Sequence, residues 1–366
     1  MKKNIVISAI NLRSGGPLTI MNECLQYLDA HLADNYRIIA LVHSKELIIK
    51  TKNIEIIEFP RSTKSYLHRF RYEYYTFHNL SKEIKPYLWL SLHDITPRVH
   101  ATIQAVYCHN ATPFYNVSIK ELFLDSKFVF FTWFYKYIYK INIRRNDFVI
   151  VQQEWIRKRF MSFFKIQKCI VAYPENTLNN KIDPIQKTQK EKITFFYPSF
   201  PRVFKNFEVA CKAFENVRPC IKDKVELIIT IDGSENSYSK LILKKYSKSK
   251  NIKFIGLQTR EEVFNIYSKS DCLIFPSKLE TWGLPITEFK LFNKPIFLAD
   301  MEYARETIGT YNKLKFFKSN DFMKLASLIE NFVEGTIKMD SIERKKIEAP
   351  FSNSWKQLFQ ILLSMK

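Results

Sequence analysis

Short apolar runs alternate with longer amphipathic stretches along most of the chain, the pattern of buried parallel strands that cross over to helices. Residues 5–10 form the first apolar run, followed by Ser14-Gly15-Gly16-Pro17 and a helical pattern over 19–32. Residues 37–42, 54–59, 88–92, 105–107 and 148–151 read as further strands of the first half. After Tyr173-Pro174-Glu175, the polar, Lys-rich run to 192 reads as a linker. The second half restarts the alternation at 193–197, then 227–231, 252–256 and 272–275, with a helix start at Thr259. Two such half-chains predict an α/β protein of two doubly wound domains facing a cleft. The boundaries expected are 1–175, a linker over 176–192, 193–345, and a final amphipathic helix within 346–366.

The 366 residues suffice for two domains of ordinary size, and 46% hydrophobic content supports real cores. No apolar stretch approaches the roughly 18 residues of a membrane span. The N-terminal run is interrupted at Asn11 and Arg13, which fits a first strand rather than a signal peptide, so a cytoplasmic protein is expected. The six cysteines are scattered without C-x-x-C spacing, and read as buried, reduced thiols rather than a zinc site. Lys and Arg number 57 against 36 Asp and Glu, a net charge of +21 that implies an anionic partner. A nucleic acid is not expected, because no zinc-finger, basic-zipper or RNA-binding sheet motif accompanies the charge.

Two segments concentrate basic and aromatic residues. Residues 61–75 interleave Arg69 and Arg71 with Tyr66, Phe70 and Tyr72, and 121–145 place Lys136, Lys140 and Arg144 at four-residue spacing beside many aromatics. Each suits an anionic lipid surface, and each equally suits a half-buried helix of the core; the first would also suit a nucleic-acid strand.

The chemistry concentrates in residues 271–300. Cys272-Leu-Ile-Phe275 suits a buried strand, Pro285 suits a first helical position, and the turn between holds Glu280, Thr281, Trp282, Gly283 and Leu284. Gly283 allows close approach of a ligand, and the helix start offers backbone N–H groups to an anion. Glu280 and Glu288 frame that site, where carboxylates accept hydrogen bonds from hydroxyls rather than bind phosphate. A ligand with phosphate at its centre and polyols at both ends, a nucleotide sugar, fits this arrangement.

The run PSKLETWGLPITEF followed by KPIFLAD resembles the signature of the retaining glycosyltransferases of family four, glycosyl transferases group 1, specifically over 193–335 and only generally over 1–175. The resemblance implies a GT-B fold, with Glu280 holding the donor sugar, Glu288 the ribose and loop amides the diphosphate. It implies that Lys205 neutralises the diphosphate. The family's companion Arg is missing at its usual place, which Phe200 occupies; Arg202 or Ser199 stands in. It further places Gly15 and Gly16 beside the cleft and His109, in YCHNATPF, at the donor sugar or reaction centre. Catalytic candidates are therefore Glu280, His109 and Lys205, with Arg69, Arg71, Lys136 and Lys140 on an acceptor or membrane side. The implied reaction transfers a sugar, with retention, from a nucleotide-diphosphate sugar to a glycan hydroxyl, on a lipid-linked acceptor in surface-polysaccharide assembly. No D-x-D pair is seen, so no metal or other cofactor is expected. The competing readings are a phosphorylase or epimerase of the same architecture and a non-catalytic membrane- or nucleic-acid-binding protein.

Overall fold

A computed structural model describes residues 2–118, 121, 124–175 and 191–364. It divides into two units, one of residues 1–114, 133–177 and 347–366, the other of 115–132 and 178–346. Nearly all of the expected linker, 176–190, lies outside the described residues.

The first unit is built on strands β1 (Lys3–Ala9), β2 (Tyr36–Val42), β3 (Ile54–Glu58), β4 (Leu88–Ser91), β5 (Ile103–Cys108), β6 (Phe148–Val151) and β7 (Cys169–Ala172). The short strand Phe351–Ser352 completes the sheet, in the order Phe351–Ser352, β7, β6, β5, β4, β1, β2, β3. Every pairing is parallel, with Ile5 beside both Ile38 and Leu88. Strands β4 to β7 are buried at every position, which is why they read as continuous apolar runs instead of alternating. The helix Gly15–His31 and the final helix Trp355–Leu363 share one core, in which Tyr27 stacks on Phe359 with ring centroids 5.7 Å apart.

The second unit holds β8 (Ile193–Tyr197), β9 (Val225–Ile229), β10 (Ile252–Phe254), β11 (Cys272–Phe275), β12 (Ile296–Ala299), β13 (Tyr311–Phe317) and β14 (Asp340–Ile342). The order is β10, β9, β8, β11, β12, β13, β14, parallel except for the edge strand β14. In both sheets the first strand is central and the order reverses beside it, between β1 and β4 and between β8 and β11. Ligands of open α/β sheets collect at the carboxyl ends of the strands flanking such a reversal.

Several local expectations shift. The first helix begins at Gly15, so both glycines lie inside its first turn and not ahead of it. Residues 61–75 form a helix at Tyr66–Arg71 that widens into a π-turn over Tyr72–Thr76 before continuing as Phe77–Ile84. The aromatic helix Ser126–Lys140 stops before Arg144, which follows a left-handed Asn142 and donates to the Phe164 carbonyl, leaving the basic stripe at Lys136 and Lys140. Of the six cysteines, five are buried and Cys220 is exposed.

Candidate functional site

The reversal point of the second sheet gathers the contiguous candidates. Strand β11 ends at Phe275, and the following loop folds back under hydrogen bonds that leave it little freedom: Ser277 Oγ donates to the Leu279 carbonyl, Tyr303 Oη to the Ser277 carbonyl, and Thr307 Oγ1 to the Trp282 carbonyl. Gly283 closes the loop at φ +90°, a conformation that favours glycine, and a Cβ there would lie 3.3 Å from Ile286 Cδ1. The helix Leu284–Lys290 starts immediately, with Pro285 at its second position. Glu288 accordingly sits in the second turn. Seven residues make a weak dipole, so a full side-chain charge must carry most of any attraction for an anion.

That charge is Lys205. Strand β8 leads through Ser199 and Arg202 to a single 3₁₀ turn, Val203–Lys205, pinned by Tyr197 Oη donating to the Lys205 carbonyl at 2.6 Å. Asn206 follows in the left-handed region, its buried side-chain amide donating to the carbonyls of Pro276 and Ser319. These bonds fasten the loop after β8 to the loops after β11 and β13. The outcome is an ion pair across the reversal point: Lys205 Nζ lies 2.5 Å from Glu280 Oε1, and both side chains are mostly buried. Next to Glu280, Thr281 is half-buried and Trp282 is buried, while Leu284 is exposed.

Glu288 faces a different partner. Tyr267 Oη donates to Glu288 Oε2 at 3.2 Å, and the Arg260 guanidinium stands 3.7 Å from Oε1. Burial raises the Glu288 carboxyl above the usual range, with Arg260 and the Tyr267 hydrogen bond pulling it back.

The companion cation takes another direction. Arg202 is half-exposed, 3.7 Å from Asp125 Oδ2 and over the Phe200 ring at 5.5 Å. Ser199 has its backbone N–H on Thr230 Oγ1, and its hydroxyl lies 3.4 Å from the neighbouring Phe200 carbonyl.

In the first unit the reversal point lies between β1 and β4. Gly15, at φ +68°, opens the long helix with nothing within 4 Å of where a Cβ would stand, and Gly16 follows half-buried. His109 sits just past β5, half-buried, its ring stacked on Tyr107 with centroids 4.5 Å apart. Burial lowers its pKa, with the Asp94 carboxylate and a hydrogen bond to the Leu92 backbone acting in the opposite sense.

Arg69 requires a correction. Expected beside Arg71 on a membrane or acceptor face, it is buried at 8% exposure and donates to the His93 carbonyl at 2.8 Å. Its guanidinium lies 4.0 Å from buried Glu73, whose Oε1 meets His93 Nε2 at 2.8 Å. Burial, opposed by Arg69, pushes Glu73 up to about 8, and burial also keeps His93 well below its ordinary pKa. The pair is therefore neutral near pH 7. Ser8 Oγ is 3.5 Å from the same His93 nitrogen. A Ser-His-Glu relay needs opposite ring nitrogens and an open hydroxyl, whereas Ser8 is fully buried, so this cluster is structural. Arg71 is exposed, Lys136 half-buried and Lys140 exposed.

Sequence reasoning missed the partners: Tyr267 for Glu288, Glu73 for Arg69 and His93, and the carboxylate of Asp94. Only Asp94 carried a signal, its place directly past a strand's carboxyl end.

Residues 179–348 match the model described as "Glycosyl transferases group 1". The O-antigen chain mannosyltransferase RfbU of Salmonella typhimurium is 24% identical over 210 residues, covering 56% of this chain and 54% of that protein. The match thus spans about half the length of this curated relative. Among solved structures, the apo form of a lipopolysaccharide outer core galactosyltransferase, WaaB, superposes with a TM-score of 0.63 at 13% identity, covering 92% of this chain and 91% of that one. The Anabaena protein Alr3699/HepE, solved in complex with UDP-glucose, gives 0.61 at 14% identity, covering 91% and 90%. The two doubly wound units are those of a GT-B fold.

Proposed function

Because residues 179–348 match the model of the glycosyl transferases group 1, we propose that this chain moves a sugar from a nucleotide-diphosphate sugar to a hydroxyl of a glycan acceptor. The observation that carries this reading is the Lys205–Glu280 ion pair at the reversal point of the second sheet, inside the segment that matches the family. Without ligand the two charges neutralise each other. A diphosphate offers Lys205 two negative charges in place of one, and Glu280 is thereby released to accept from sugar hydroxyls. Glu288 takes the ribose hydroxyls from its buried position, and the Thr281–Leu284 loop meets the diphosphate with its amides.

The reaction breaks the bond between the anomeric carbon and the diphosphate oxygen and forms one to the acceptor oxygen. The acceptor proton passes to the departing phosphate on the same face, so configuration is retained. Lys205 stabilises the charge that develops on the leaving group, and His109 is assigned to the donor sugar. No metal or other cofactor enters the reaction. The sugar is of the hexose type and the acceptor a lipid-linked glycan of a surface polysaccharide. The relatives' printed activities, a mannosyltransferase of O-antigen chains and a galactosyltransferase of lipopolysaccharide outer core, support that pathway class.

A lipid-linked acceptor calls for a protein that works at the cytoplasmic membrane surface. No helix among the described residues is long and apolar enough to cross a membrane. Supporting peripheral contact, the helix Ser126–Lys140 exposes Phe130, Trp133, Phe134 and Tyr137, spaced along one helical face.

The test is transfer from a panel of nucleotide sugars to glycan acceptors, comparing wild type with Glu280→Ala. One donor is expected to support transfer, and the substitution to lower it by about 10²-fold, the loss of one charged contact made to the reacting sugar. Transfer that survives Glu280→Ala, or no donor bound at all, sinks the proposal.

A further inference from the structure

Asp94 follows β4 by three residues and holds the left-handed conformation, φ +69°. Its carboxylate gathers donors from two other elements. Oδ1 accepts the backbone N–H groups of His109, at 2.6 Å, and Asn110, at 3.2 Å. The hydroxyls of Tyr139 and Tyr135, both on the helix Ser126–Lys140, lie 2.8 Å from Oδ1 and 2.9 Å from Oδ2. Tyr139 Oη also sits 3.0 Å from the Asn110 carbonyl and receives the Asn110 N–H at 3.2 Å. Both tyrosines are buried, and burial together with Asp94 raises their pKa values well above the ordinary phenol, so they remain donors at neutral pH.

We propose that Asp94 is the positioning residue for His109, fixing its loop to the helix Ser126–Lys140 through one carboxylate. The inference rests on the assignment of His109 to the donor sugar. Its physical basis is the number and direction of the bonds. A residue just past a strand has a backbone that must be held by something, and here one charged acceptor holds two consecutive N–H groups. The ring itself stacks on Tyr107. The β4 loop therefore holds the main chain of the residue past β5, and with it the base of the ring. A carboxylate serves where an amide would not, because all four donors converge and none needs a donor in return.

The same helix turns Tyr135 and Tyr139 toward Asp94 and exposes Phe130, Trp133, Phe134 and Tyr137 elsewhere on its surface.

The experiment combines kinetics with histidine NMR on the full chain. Wild type, Asp94→Asn, Tyr135→Phe with Tyr139→Phe, His109→Ala, and Asp94→Asn with His109→Ala are compared in transfer, and the His109 ring resonance is assigned by its loss in His109→Ala. Asp94→Asn is expected to lower kcat by about 10²-fold, the cost of a roughly 1 Å misplacement, with donor KM within about twofold of wild type. The tyrosine pair should move kcat in the same direction and displace the His109 resonance without a change in charge. Asp94→Asn with His109→Ala should be no slower than His109→Ala alone. Multiplying losses in that double variant, or a His109 resonance unmoved in both Asp94→Asn and the tyrosine pair, overturn the proposal. If His109→Ala leaves kcat intact, the assignment of His109 fails, and the resonance still decides whether Asp94 positions it.

Discussion

The neutral Glu73–His93 pair has a pH signature of its own, independent of catalysis. Glu73 is raised from 4.5 to about 8 in the fold, and His93 is lowered from 6.5. Between about pH 4.5 and 6.5 the folded pair holds one proton, on Glu73, and the unfolded pair holds one, on His93, so this pair adds no slope to stability. From about 6.5 to 8 the folded pair still holds its proton and the unfolded pair holds none, so stability falls as pH rises, by about 2 kcal/mol over that window. Glu73→Gln removes the titration, and its melting temperature should lack the decline that wild type shows between pH 6.5 and 8. Equal slopes in the two proteins would contradict the neutral pair. Little of this was legible in the sequence. In RSTKSYLHRFRYEYY, Glu73 is one acid among cations and rings, and its partner His93 is 20 residues away with no spacing rule to join them. Arg69 and Arg71 look alike there, because composition does not say which side of a short helix is buried. The carboxylates Glu280 and Glu288 were legible because one loop and one helix carry both, and Lys205 only through the family resemblance, which implies a Lys after the first strand of the second half.

Single elements show the same division. Strands β4 to β6 and β11 were readable as uniform apolar runs, since both faces of a parallel sheet are covered. The aromatic helix Ser126–Lys140 was ambiguous for a physical reason: its rings lie on both sides. Tyr135, Tyr139, Phe128 and Val129 are buried, while Phe130, Trp133, Phe134 and Tyr137 remain at about half exposure or more. Large rings presented along one helical face beside Lys140 suit a headgroup layer, where they insert while the cation meets phosphate. Trp133→Ser with Phe134→Ser should therefore cut flotation with vesicles containing anionic lipid by about tenfold or more. Folding should be preserved, as both side chains are mostly outside the core. Flotation equal to wild type, or none in either protein at low salt, would reduce the face to exposed packing surface.

At the scale of the whole molecule, two sheets of one topology are each interrupted at the same place, beside the first strand. The alternation of strands and helices made that architecture readable; the details at the reversal points depend on contacts between loops distant in sequence. Phe204, for instance, shares its loop with Lys205 but its carbonyl takes the Lys278 N–H from the loop after β11, a bond no local pattern announces. A net charge of +21 favours anionic ligands everywhere on the surface, so bare affinity for a nucleotide is weak evidence. The division of labour between Lys205 and Glu280 is the sharper criterion. Calorimetric titration of the full chain, at physiological salt, with a nucleoside diphosphate and with the matching nucleotide sugar tests it most directly. Lys205→Ala should weaken both ligands by about 10- to 100-fold, the range for a charged hydrogen bond. Glu280→Ala should weaken the nucleotide sugar by a similar factor while binding the bare diphosphate at least as tightly as wild type, since Lys205 is then free of its carboxylate. A Glu280→Ala protein that loses both ligands equally, or neither, would contradict the central claim.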